Sequence, residues 1–105
     1  MKIQLLHNSY EKKLYFYCEA CDDLHHIVYE RIGDHFDPYI WVWNKSYSQP
    51  TISPSILVMT PDSRCHLFVK RGQLEYLQDC SHHLRGKITP MHHIPSWLEI
   101  TNVVL

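Results

Sequence analysis

The chain has 105 residues, of which 45% are hydrophobic and 20% charged, and its formal net charge is −1 with histidine neutral. This length fits one domain with one modest core, and no apolar run is long enough to span a bilayer. The ten lysines and arginines are scattered, so the sequence lacks the concentrated basic face that nucleic acid binding usually requires. We therefore expect a single domain over residues 1–105 that contacts neither nucleic acid nor a membrane.

Short segments with alternating apolar and polar residues, rich in β-branched and aromatic side chains, predict eight β-strands. They are residues 2–7, 13–18, 26–30, 40–44, 51–59, 66–70, 73–77 and 97–105. Turn-forming residues separate them, and no segment keeps the apolar spacing of a helix over three turns. The sequence predicts a mainly β fold, a small antiparallel sandwich-like or partly open barrel domain with a zinc knuckle. At most one helical turn is expected, near residues 81–85.

The hairpin around residues 71–72 allows its register to be predicted. A two-residue turn there pairs Lys70 with Gln73. One face of the ribbon then carries Cys65, Leu67, Val69, Leu74, Tyr76, Gln78 and Cys80. The opposite face carries His66, Phe68, Lys70, Gln73, Glu75, Leu77 and Asp79. The first face is mostly apolar, so we expect both cysteines on the core side and His66 pointing away from them.

Cysteine spacing is the strongest chemical signal in the chain. Cys18 and Cys21 form a C-x-x-C pair, and His25 extends it to C-x-x-C-x-x-x-H. The N-terminus shows no signal-peptide pattern, so we expect a cytoplasmic protein, in which such a pair indicates a metal or redox site rather than a disulfide. The residues after Cys21 predict a turn and a strand, whereas a thioredoxin-like site would need a helix there.

Structural zinc prefers four thiolate or imidazole ligands in a tetrahedron, and a C-x-x-C turn supplies two of them. The predicted ligands are Cys18, Cys21 and Cys65, with His82 or Cys80 as the fourth and His25 in reserve. The competing interpretation is that these cysteines are small buried apolar residues. The predicted cofactor is one structural zinc ion.

No motif identifies a catalytic residue. A catalytic zinc would need an open coordination position and a base such as Asp79, but neither H-E-x-x-H nor the deaminase signature is present. Ser53 and Ser55 flank Pro54 without the G-x-S-x-G motif of serine hydrolases. A cysteine nucleophile would need a partner histidine whose geometry the sequence does not supply. We therefore assign no catalytic and no cofactor-binding residue, and we favour a role other than enzyme.

Four motifs in this order resemble a family of small proteins encoded by tailed phages and prophages. They are C-x-x-C-x-x-x-H from Cys18, W-x-W-N from Trp41, P-T-x-S-P-S-I-L-V from Pro50, and C-H-x-F-V-x-x-G-x-x-x-x-L-x-D-C-x-H-x-L-x-G from Cys65. That family has no known function and is often labelled ammonia monooxygenase, a label that a thiol-rich chain without a membrane segment contradicts. The resemblance admits serine at position 80, which favours His82 as the fourth ligand.

Together these inferences predict a small phage or prophage accessory protein in the cytoplasm of a bacterial host cell. A β-rich domain organised by one structural zinc would act as a binding module for an unidentified host or phage protein or other macromolecule. Inhibition of a host defence system is one form that such binding could take. The alternatives are a zinc-dependent hydrolase acting on a small molecule or nucleotide and a structural part of a phage assembly.

Overall fold

The computed structural model describes residues 1–33 and 40–100. In chain order the strands are β1 (Ile3–His7), β2 (Glu11–Cys18), β3 (Asp23–Arg31), β4 (Val42–Trp43), β5 (Ile52–Thr60), β6 (Ser63–Lys70), β7 (Gln73–Tyr76) and β8 (Ile88–Pro90). They form a three-stranded sheet, β1-β2-β3, and a five-stranded sheet, β4-β5-β6-β7-β8. All pairings are antiparallel. The predicted mainly β, antiparallel and sandwich-like fold is confirmed, and the sheets do not close into a barrel.

One buried cluster joins the two sheets. Leu14 and Phe16 of β2 are fully buried in it, as are Leu67 and Val69 of β6. Each pair is spaced by two residues because alternate side chains of a strand share a face. Burial of one such side chain stabilises the fold by about 1.5–3 kcal/mol. The apolar faces of the two sheets therefore form a common core.

The register predicted for the β6–β7 hairpin is confirmed. Lys70 pairs with Gln73, and Arg71 and Gly72 between them have φ values of 51° and 75°. Positive φ at both central residues is the conformation that a tight two-residue hairpin turn requires. Six residues of the predicted core face are buried, namely Cys65, Leu67, Val69, Leu74, Tyr76 and Cys80. The seventh, Gln78, lies beyond the end of β7 and is exposed.

The strand predicted for residues 97–105 is wrong where the structure describes it. A short 3-10 helix, Ser96–Leu98, follows Pro95, and residues 101–105 lie outside the described part. Ile100 bonds to the side chain of Gln4 in β1 through both its N–H and its C=O, so an amide side chain replaces a ladder of backbone bonds. The sequence also missed β8, which has only three residues and ends at a proline.

Residues 81–86 form bends and turns, where one helical turn was the most that we expected. Among the residues described, no helix has the length and apolar character needed to cross a bilayer.

Candidate functional site

Strand β6 carries chemically active side chains on both of its faces. Cys65 is buried on the inner face, whereas His66 lies on the outer face with 22% of its side chain exposed. Neighbouring residues of a strand point in opposite directions, so two different sites meet at consecutive positions.

On the outer face, Ser55, His66 and Asp79 form a hydrogen-bonded chain. Ser55 Oγ lies 3.0 Å from His66 Nε2. His66 Nδ1 lies 3.0 Å from Asp79 Oδ2 and 3.3 Å from Oδ1. With the ring proton on Nδ1, the histidine donates to the carboxylate and its Nε2 accepts from the serine hydroxyl. These are the contacts that define a serine–histidine–aspartate catalytic triad.

An irregularity in β5 brings Ser55 beside His66. Ile52 pairs with Val69 and Ile56 with Leu67, so three residues of β5 stand opposite one residue of β6. The extra length includes a cis peptide bond between Ser53 and Pro54. Such bulges re-aim side chains and are common next to active sites. Ser55 therefore lies on the outer face and is not part of the regular pairing between β5 and β6.

Asp79 is held from two directions. Besides contacting His66, its Oδ2 accepts a hydrogen bond from Arg64 Nε at 2.8 Å. The hydrogen bond with His66 and the one from Arg64 hold the pKa of Asp79 below its ordinary value. The carboxylate is therefore charged at neutral pH, as the partner of a histidine that becomes cationic must be.

The segment after β7 is fastened to β6 by side chains. His66 N–H donates to Cys80 Sγ at 3.2 Å, and Cys80 Sγ donates to the His66 carbonyl at 3.1 Å. Ser81 makes matching bonds to Arg64, since Arg64 N–H donates to Ser81 Oγ at 2.8 Å and Ser81 N–H donates to the Arg64 carbonyl at 2.9 Å. These bonds continue the sheet beyond the last residue of β7 and fix Asp79 beside His66.

On the inner face, Cys18, Cys21, His25 and Cys65 form a cluster that could hold a metal ion. Their ligand atoms all lie within 4.8 Å of one another. Cys18 ends β2, Cys21 lies in the following turn, His25 is on β3 and Cys65 is on β6, so the cluster joins the two sheets. The sulfur atoms of Cys18 and Cys65 are 3.9 Å apart. Two thiolates at about 2.3 Å from one tetrahedral ion would lie about 3.8 Å apart.

The electrostatics of the cluster suit a cation. Hydrogen bonds from Cys65 and Tyr76, together with the charge of the nearby His25, outweigh burial and lower the pKa of Cys18 to about 3. The pKa of Cys65 is raised because its thiol bonds to the Cys18 sulfur and is buried. Burial also raises the pKa of Cys21, to about 11. A metal binding here would displace the thiol protons and gain three thiolate ligands.

His25 supplies independent support for this interpretation. Its Nε2 is buried and has no hydrogen-bond partner among the described residues. An unsatisfied buried nitrogen is costly, and coordination of a metal would satisfy it. A cavity of about 230 Å³ beside the cluster, lined in part by Cys21, His25 and Cys65, offers a route for an ion.

The structure places the six predicted ligands in two adjoining groups that share Cys65. His25, the reserve candidate, lies with Cys18, Cys21 and Cys65, whereas Cys80 and His82 form the second group with Cys65. His82 Nε2 lies 3.4 Å from Cys65 Sγ, and its ring meets the edge of Tyr76. Burial lowers the pKa of His82, which favours a neutral imidazole.

Sequence reasoning did not find the triad. Ser55, His66 and Asp79 all lie within the motifs that carried the family resemblance, but on three different segments. The predicted outer face of the hairpin already contained His66 and Asp79. The sequence did not reveal how β5 pairs with β6, and this register brings Ser55 to the face that carries His66 and Asp79.

The fold and this site define a small, mainly β protein with the triad geometry of a serine hydrolase. The chain belongs to the family described as bacterial ubiquitination-like system serine protease (BubE), whose model matches residues 2–77. The match includes Ser55 and His66 and stops just short of Asp79. Neither the curated proteins nor the solved structures contain a match to the chain.

Proposed function

We propose that this protein is a serine protease of a bacterial ubiquitination-like system, with Ser55 as its nucleophile. The observation that carries the proposal is the continuous hydrogen-bonded chain from Ser55 through His66 to Asp79. The description of the family gives independent support, because it names a serine protease. The macromolecular partner is then the polypeptide that the enzyme cleaves.

The chemistry follows from the three contacts. Ser55 Oγ attacks the carbonyl carbon of a peptide bond while its proton passes to His66 Nε2, and Asp79 stabilises the resulting imidazolium. Collapse of the tetrahedral intermediate breaks the C–N bond, and the departing amine takes the proton from His66. Water then attacks the acyl-enzyme, with His66 again accepting the proton, and Ser55 is restored as the carboxylic acid leaves.

The position of Asp79 favours this mechanism over a zinc-dependent hydrolase. That alternative needs a base beside the metal, and the candidates were Asp79 or a nearby histidine. Asp79 instead contacts His66 and Arg64 on the outer face of β6, whereas Cys65 and the metal cluster occupy the inner face. Its carboxylate is therefore engaged in the triad.

We assign a structural role to the inner cluster, with zinc held by Cys18, Cys21, His25 and Cys65. Three sulfur donors and one imidazole are a ligand set that structural zinc sites use. Bound zinc would link β2 and β3 to β6 and so hold the strand that carries His66. The reducing cytoplasm that the sequence predicts would keep these thiols available for the metal.

A serine-directed covalent probe tests the proposed nucleophile without knowledge of the substrate. A small fluorophosphonate should label the parent protein at Ser55, as located by mass spectrometry of its peptides. Ser55→Ala should abolish labelling, because it removes the oxygen that would bond to phosphorus as fluoride leaves. Ser53→Ala is the matched control, two residues away on the same strand, and should label as the parent does. Equal labelling of parent and Ser55→Ala would refute the proposal.

A further inference from the structure

Strand β5 has an open edge that starts at the proposed nucleophile. Its neighbour β4 pairs with it only at Val42–Ser53 and Trp43–Ile52. Over residues 56–60, β5 pairs with β6 on one side, and no strand of the described chain pairs with it on the other. Unpaired strand edges present backbone donors and acceptors that other chains can use.

Leu57 directs its backbone groups toward this edge. It stands opposite His66, whose own N–H and C=O are turned the other way, toward Cys80 and Leu77. In an antiparallel pair, two residues that face each other either exchange both backbone hydrogen bonds, N–H to C=O in each direction, or exchange none. Because His66 bonds away from β5, the N–H and C=O of Leu57 must point away from β6.

Met59 repeats this pattern one step along the strand. It stands opposite Arg64, whose N–H and C=O are bonded to Ser81. Leu57 and Met59 are 46% and 58% exposed, and their side chains lie on the same face as that of His66. The edge therefore offers two donor–acceptor pairs about 7 Å apart, the repeat of an extended peptide.

We propose that the edge of β5 at Leu57 and Met59 binds the polypeptide substrate as an added strand. Main-chain hydrogen bonds of this kind give affinity for extended peptides whatever their sequence. Ser55 lies two residues before Leu57, so a strand paired there runs directly to the nucleophile. Trp41 Nε1 donates to the Ser55 carbonyl at 3.2 Å and closes the edge beyond that point. This inference rests on the proposed protease function.

Two serine-directed probes separate docking from chemistry. One is a small fluorophosphonate, and the other is a tetra-alanyl diphenyl phosphonate, which offers a peptide backbone with minimal side chains. The peptidyl probe should react faster, and single N-methylation should slow it roughly 3- to 10-fold at the amide that pairs with the edge, since one hydrogen bond is lost. N-methylation of the adjacent amide, which points away, should leave the rate unchanged.

Leu57→Pro tests the same contact from the side of the enzyme. Proline removes an N–H that faces outward, so pairing with β6 is retained. The ratio of the peptidyl-probe rate to the fluorophosphonate rate should fall well below that of the parent in this variant. Leu57→Ala, which keeps the N–H, is the matched control and should retain most of the parent's ratio. If Leu57→Pro does not fold, the N-methylated probes still test the docking edge on the parent protein.

The outcomes distinguish the two proposals. If the fluorophosphonate fails to label the parent at Ser55, the protease function fails. If it labels Ser55, but neither N-methylation nor Leu57→Pro changes the rate of the peptidyl probe, the protease function is supported and the docking edge is wrong. If the parent is a dimer that Leu57→Pro converts to a monomer, a second copy occupies the edge and the inference is overturned.

Discussion

Cys65 and His66 are consecutive residues of β6, yet their surroundings are opposite. Cys65 is 2% exposed and lies in a thiol-rich cluster between the sheets, whereas His66 is part of a hydrogen-bonded chain open to solvent. The inner cluster joins both sheets, while the outer triad lies on the five-stranded sheet alone. Under the roles proposed above, one strand would hold a structural metal on one face and the catalytic histidine on the other.

The largest expected effect comes from a change on the inner face. Cys18→Ser should reduce bound zinc from about one ion per chain to near zero and lower the free energy of unfolding by several kcal/mol, because metal and fold stabilise each other. It should also abolish fluorophosphonate labelling, since β6 loses its anchor. Metal analysis, thermal unfolding and labelling measure the three effects.

Ser55→Ala is the matched change on the outer face and should alter neither zinc content nor thermal unfolding. A Cys18→Ser protein that is metal-free but as stable and as reactive as the parent would show that the two faces are independent.

A smaller effect is expected at Cys80, which lies between the two sites. Cys80→Ala removes both side-chain bonds to the His66 backbone and should slow labelling about tenfold, since a buried group left unsatisfied costs about 1–3 kcal/mol. Cys80→Ser keeps a donor and an acceptor and should restore most of the rate. Both variants should retain zinc.

Zinc content therefore separates the two roles considered for Cys80. Loss of the metal from Cys80→Ser with the labelling rate unchanged would make Cys80 a ligand and contradict its positioning role.

The smallest effect concerns pH and the outer face. The pKa of Asp79 is lowered below its ordinary value of 3.8, chiefly by the hydrogen bond with His66. Its charged form therefore contributes stability that is complete above that value and is lost as pH falls through the lowered pKa. At neutral pH the free energy of unfolding should thus be larger for the parent than for Asp79→Asn. This difference should shrink below about pH 4.

Denaturant titrations of both proteins from neutral pH to about pH 3 measure this difference. Asp62→Asn, in the turn between β5 and β6, is the control and should follow the parent. If the stability difference between the parent and Asp79→Asn grows as the pH falls, the lowered pKa of Asp79 is contradicted.

Local pattern predicted the β6–β7 hairpin well, because turn chemistry fixes its register and alternation fixes its faces. It predicted β3 less well. That strand begins at Asp23, three residues before the predicted start at residue 26. His25 therefore lies within the strand and points inward, which the predicted boundary did not show. The choice between His25 and His82 depends on how the two sheets pack, and sequence spacing carries no such information.

The triad escaped prediction for a related reason. Serine hydrolase motifs describe a serine on a turn between a strand and a helix, whereas Ser55 lies within a β-strand. Its position beside His66 depends on the additional residues of β5 around the cis peptide bond, which leave no regular pattern in the sequence. The phage or prophage origin that the motifs suggested stays a prediction.

The tight turn at Arg71 and Gly72 has a consequence for how the register of β6 is set. Sliding β6 by one residue against its neighbours would exchange its faces, sending Cys65 outward and His66 into the core. A misregistered chain would lose the metal site and the nucleophile's partner together. Insertion of one residue into this turn should therefore lower zinc content and fluorophosphonate labelling together, which would show that one strand register sets both proposed sites.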